Sequence, residues 1–198
     1  MTVSTKQMLA RRTIVDAARP LIGSQGFSAV GISQIIEVAG IPKGSFYHYF
    51  ESKEAFGEEL LHLYISDYLA KMDVMFGASR KNGREKILAY CQFWWETHVD
   101  GKTGDKCLIV KLGAEVSDLS ERMRHILKKG TEQAVERITA IIRAGQEDGS
   151  IQSAMNSYIL AQALYQQWLG ATLMVKITRD SHPFDNAWVA TKSFLDHT

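Results

Sequence analysis

Apolar residues recur at helical spacing along most of the chain, and no alternating apolar/polar stretch is long enough to suggest a strand. From about Lys6 to Gln25, Ile14, Ala17, Ala18, Leu21 and Ile22 form one stripe, which predicts a helix. Pro20 inside it implies a kink or a lost hydrogen bond. Ser33 to Ala39 reads as a short helix with Ser33 as its N-cap and Ile35, Ile36 and Ala39 facing inward. Gly40 can take a positive φ to end it, and Pro42 prevents it from resuming. A second short helix follows and ends near Phe50. On it Phe46, Tyr49 and Phe50 share one face at i, i+3, i+4, and Gly44, Ser45, Tyr47 and His48 share the other. One face suits a core. The other is small, cationic or hydroxyl-bearing and suits close approach to nucleic acid, as in the recognition helix of a helix-turn-helix.

The rest of the chain also reads as helix. Ser52 caps a long segment running to about Phe76, with Glu54 in its first turn. Lys81-Asn82-Gly83 separates it from a segment bearing Ile87, Leu88, Cys91, Trp94 and Trp95, and residues 100–105 form a loop. Cys107 to Val116 is short and apolar, and Ser117 to Glu121 opens a helix that continues to Glu147. Asn156 to about Ile177 is the most apolar segment, and Phe184 to Phe194 supplies the last. These segments predict an all-α protein of about nine helices: a helix-turn-helix domain over 1–53, and a sensor and dimerisation domain over 54–198. The last two long helices carry more apolar surface than one bundle needs, and Trp168-Leu169-Gly170-Ala171 sets small residues beside large ones. That pattern suggests a homodimer built on a shared four-helix bundle.

The net charge of +1 points to no particular partner, but its distribution does. Residues 1–53 hold six Lys/Arg against three acids, whereas the remainder holds seventeen against nineteen. A basic head on a nearly neutral body fits nucleic-acid binding. Two cysteines cannot make a multi-disulfide framework, no secretory h-region opens the chain, and no run of about 18 apolar residues exists. The expected location is the cytoplasm, away from any membrane. His62, His98, His125 and His182 lack ligand spacing, so neither a metal nor another cofactor is expected.

Ile35 through Phe56, with its run Val-Ala-Gly-Ile-Pro-Lys-Gly-Ser-Phe-Tyr-His-Tyr-Phe-Glu-Ser-Lys-Glu-Ala-Phe, resembles the N-terminal DNA-binding domain of the TetR family of bacterial repressors. The length and all-helical plan match that family as well. Cys107 to Glu121 and Trp168 to Ala171 resemble the ligand domain of its N-ethylmaleimide-responsive subgroup, whose members bind operator DNA as dimers and release it when a cysteine meets electrophiles or oxidants. This chain departs from the subgroup at Ser117, where the subgroup has a second cysteine, so a mechanism needing that thiol is not implied.

The resemblance puts Ser33, Gln34, Lys43, Gly44, Ser45, Tyr47, His48 and Lys53 at double-stranded DNA. Lys43 and Lys53 suit phosphates, and Tyr47 offers a hydroxyl on a rigid arm. Gly44 permits close approach, Ser45 and Gln34 suit base edges, and His48 suits either role. The resemblance also makes Cys107 a candidate sensor. A thiol in the first turn of a helix, near Lys106 and Lys111, would be pushed toward its reactive thiolate. On spacing alone a buried, inert cysteine is the commoner outcome. Cys91, beside Trp94 and Trp95, reads as core. Lys176, on the apolar helix, is a candidate partner for an oxidised Cys107.

Three other readings stay open, one of them a purely structural helical scaffold with no salt-dependent DNA affinity. An apolar small-molecule inducer could bind reversibly among Phe93, Trp94, Trp95, Tyr165 and Trp168. A thiol enzyme could pair Cys107 with His98 or His125, although no catalytic set is expected.

Overall fold

The structure is a computed structural model that describes residues 5–77, 80–99 and 107–196. Its helices are α1 (Thr5–Gln25), α2 (Ile32–Ala39), α3 (Lys43–Tyr49), α4 (Lys53–Gly77), α5 (Gly83–His98), α6 (Leu108–Leu119), α7 (Glu121–Glu147), α8 (Ser157–Thr178) and α9 (His182–Asp196). Among the described residues there is no strand. The all-α expectation holds.

Local chemistry explains the boundaries. α1 runs through Pro20 to Gln25, so the proline interrupts bonding without ending the helix. α2 starts earlier than the sequence suggested. Its N-cap is Gly31, whose N–H donates to the Gln34 side chain at 2.9 Å, and Ser33 falls inside the first turn. Gly40 ends α2 at φ 63, and the Ile41 N–H returns to the Ile36 carbonyl at 3.1 Å. Ser52 caps α4 through the Ala55 N–H at 3.0 Å, and Asn82 caps α5 through the Glu85 N–H at 3.0 Å. Ser117 closes α6 rather than opening α7, because the break falls at extended Ser120.

Packing divides the chain into two units, residues 1–66 with 104–128 and residues 67–103 with 129–198. In the first unit, Ile14, Val15, Ala18 and Ile22 of α1, Ile35 of α2, and Phe46 and Phe50 are buried. Phe56, Leu60 and Leu61 of α4 and Leu108, Leu112 and Val116 of α6 are buried in the same unit. In the second unit, buried Trp94 packs edge-on to Tyr90 and Tyr165. The Trp94 indole N–H donates to Thr172 Oγ1 at 2.9 Å, and that of Trp168 donates to Thr191 Oγ1 at 3.0 Å. Trp168 and Ala171 therefore belong to this unit's own core. On α8 and α9 the large apolar side chains left exposed are others: Tyr158, Ile159, Leu173, Met174 and Ile177 of α8, and Val189 of α9.

Candidate nucleic-acid interface and thiol site

α3 is a two-turn helix with no room for more than one buried face. Phe46 fills that face, its ring 5.3 Å from Phe50 and 5.9 Å from Phe56 between centroids. Phe50 and Phe56 lie 5.1 Å apart, and the Arg11 guanidinium covers Phe50 at 5.0 Å. Tyr49, assigned to the core by its spacing, is only half-buried and meets His48 edge-on at 5.0 Å. The helix is too short and too near the surface to cover a third ring.

The opposite face is open. Lys43, Gly44 and His48 are exposed, Tyr47 is 50% exposed, and Ser45 is half-buried. A Cβ built on Gly44 would meet nothing within 4 Å, so the backbone there is accessible to a ligand surface. On α2, Ser33 is exposed. Gln34 is half-buried with its carbonyl oxygen held by the cap, which turns its amide N–H group into the more available function.

Lys53 is drawn into the unit's own structure. Its ammonium donates to the Ser28 carbonyl at 3.2 Å and lies 4.7 Å over the Phe27 ring. Burial lowers its pKa, and the charge of Glu115 opposes that shift. Sequence reasoning overlooked Glu115. One of its oxygens accepts the Phe27 N–H at 3.1 Å and the other accepts the Ser28 N–H at 2.5 Å. Burial works against its charge, but hydrogen bonds from Ser28 and Phe27, with Lys111 nearby, outweigh it and hold the pKa below the usual carboxylate value. These partners are 88 and 87 residues apart in sequence, so no local pattern announces them.

Cys107 is the N-cap of α6 and is 4% exposed. The Tyr64 hydroxyl on α4 donates to its sulfur at 3.8 Å. Lys111 follows one turn later and is half-buried, whereas Lys106 and the loop 100–105 lie outside the described residues. Cys91 differs. It is 1% exposed, and burial pushes its thiol up to about 12 against a hydrogen bond from Thr191. Lys176 is exposed near the end of α8, in the second unit. His98 Nδ1 is 2.7 Å from the Trp94 carbonyl oxygen, and His125 is exposed on α7. Among the described residues, no group of three or more His, Cys, Asp or Glu side chains could hold a metal ion.

Residues 14–60 match the family model described as "Bacterial regulatory proteins, tetR family", and residues 83–191 match "Tetracyclin repressor-like, C-terminal domain". The chain is 36% identical over 185 residues to the HTH-type transcriptional repressor NemR of Escherichia coli strain K12, covering 93% of each. It is 32% identical over 175 residues to the HTH-type transcriptional repressor DhaR of Mycobacterium sp. strain GP1, covering 88% of this chain and 86% of that one. Among solved structures, the reduced form of E. coli NemR superposes with a TM-score of 0.89 at 36% identity, over 94% of this chain and 96% of that one. A TetR/AcrR-family regulator superposes with a TM-score of 0.86 at 42% identity, over 96% of this chain and 100% of that one.

Proposed function

The chain belongs to the TetR family of bacterial regulators, and from that membership we propose a homodimeric transcriptional repressor released from its operator when an electrophile or oxidant modifies Cys107. The observation that carries the DNA-binding half is the open Lys43-Gly44-Ser45-Tyr47-His48 face, braced by Phe46, Phe50 and Phe56. A rigid short helix with small and cationic side chains outward can enter a major groove. In this reading Lys43, Tyr47 and Lys53 meet phosphates, Gly44 allows close approach, Gln34 and Ser45 face base edges, Ser33 lies at the DNA beside them, and His48 takes either role. Two such helices in a dimer, about 34 Å apart, read successive major grooves.

The sensing half draws on the position of Cys107 at the N-cap of α6, one turn before Lys111, and on the likeness to a NemR structure named as a reduced form. The protein acts in the cytoplasm in this reading and turns over no substrate. Among the described residues, no helix is long and apolar enough to cross a membrane.

The test is operator binding by the wild type and Cys107→Ser, before and after N-ethylmaleimide. We expect Cys107→Ser to keep its operator after treatment and the wild type to lose it. Labelling should stop at one equivalent, because a Cys91 thiol near 12 leaves only about one thiolate in ten thousand at pH 8. Raising the pH should increase that fraction about tenfold per unit. Release of the treated Cys107→Ser variant would move the sensor elsewhere, and a reversible inducer would also release that variant. Multiple turnover of the electrophile would indicate an enzyme.

A further inference from the structure

The turn between α1 and α2 is held from two sides. Gly26, at φ +100, sets up this turn, in which the N–H groups of Phe27 and Ser28 both donate to Glu115. A Cβ on Gly26 would stand 3.1 Å from a Glu115 oxygen, so the carboxylate occupies the space that glycine leaves. Lys53, the first residue of α4, holds the Ser28 carbonyl. Ser28 is thus gripped at its N–H by α6 and at its C=O by α4, three residues before the Gly31 cap of α2.

The same helix α6 has Cys107 at its other end, two turns before Glu115. The sulfur is almost fully enclosed and accepts the Tyr64 hydroxyl. When the thiol adds to N-ethylmaleimide, sulfur bonds to one alkene carbon, the proton passes to the other, and nothing is oxidised. A group of that size does not fit a close-packed site. The first turn of α6 has to move or unwind, and Glu115 moves with the helix.

We propose that Glu115 is a positioning residue: it fixes the turn that sets α2 and α3 for DNA reading, and it is the link through which modification of Cys107 reaches them. The linking role rests on Cys107 being the sensor. The positioning role does not.

The experiment uses the full-length chain and a duplex selected from genomic fragments by the wild type. Affinity, its salt slope, the melting temperature and the rate of N-ethylmaleimide labelling are compared for wild type, Glu115→Ala, Glu115→Gln and the control Arg122→Ala. Arg122, exposed near the start of α7, pairs with Glu58 of α4 at 3.3 Å rather than with Glu115. Unlabelled Glu115→Ala should bind roughly tenfold more weakly, the scale of losing hydrogen bonds to a charged acceptor. Its salt slope should be unchanged, since Glu115 meets no phosphate. Labelling should weaken it no more than about twofold further, while wild type and Arg122→Ala are released fully. If Glu115→Ala melts early, the isosteric Glu115→Gln carries the test and should show the same pattern in smaller measure. Wild-type affinity in both variants, or release of labelled variants by the wild-type factor, overturns the proposal. A labelled wild type that keeps its operator overturns the sensor reading and the linking role together, and the unlabelled affinities then decide the positioning role.

Discussion

A lysine that meets only phosphate strengthens binding to every sequence alike. Exposed Lys43 should therefore reveal itself in Lys43→Ala as a uniform loss of affinity, with the salt slope flattened by about one. Ser45→Ala should instead shift the preferred operator while leaving the slope alone, and a selection from random duplexes reads both. The i, i+3, i+4 spacing made the burial of Phe46 and Phe50 legible but overstated Tyr49, which a two-turn helix leaves half-buried. Neighbouring side chains were less legible. Gln34 reads as a free amide in sequence but spends its oxygen on the Gly31 cap. Lys53 reads as a free cation but leans on Phe27 and Ser28, some 25 residues away. The depth at which Cys107 is buried depends on α4, to which no feature of its own segment points.

Short helices have little bonding of their own, and α2 and α3 hold their places through side chains. Phe46 is the largest of those anchors on α3 and is fully buried against two other rings. Phe46→Ala should cost about 3–5 kcal/mol and remove operator binding before it removes most of the helical dichroism. Urea unfolding followed by circular dichroism, beside a binding titration, checks both. Helix number and order were legible from periodicity and from Gly, Pro, Ser and Asn stops. Two boundaries were not. Gly31 displaced Ser33 as a cap because a glutamine three residues on completes the cap without a side chain at its start. Ser117 looked like a helix start but closes α6, since the chain first becomes extended at Ser120.

Chain order and packing part company in the whole molecule. The sequence suggests a boundary after residue 53, whereas α6 and the first turns of α7 pack in the same unit as the head. Cys107 thus lies within the C-terminal family match yet shares a unit with α1–α3. Long-range packing of that kind leaves no trace in composition or period. The apolar surplus of the last long helices was legible, but its members were not. Trp168 turned inward, and Leu173, Met174 and Ile177 form the uncovered α8 stripe. In the proposed homodimer this stripe is the surface we assign to the partner subunit. Leu173→Glu with Ile177→Glu should give a monomer by sedimentation and lower operator affinity at least about a hundredfold, since each half-site would then bind alone.

All four indoles, Trp94, Trp95, Trp168 and Trp188, lie in the unit formed by 67–103 and 129–198. Fluorescence excited at the red edge of absorption will therefore follow melting of that half and stay silent about the operator-reading half. A tryptophan introduced at solvent-facing Ala29 would give the silent half its own optical signal, beside the turn that Glu115 holds.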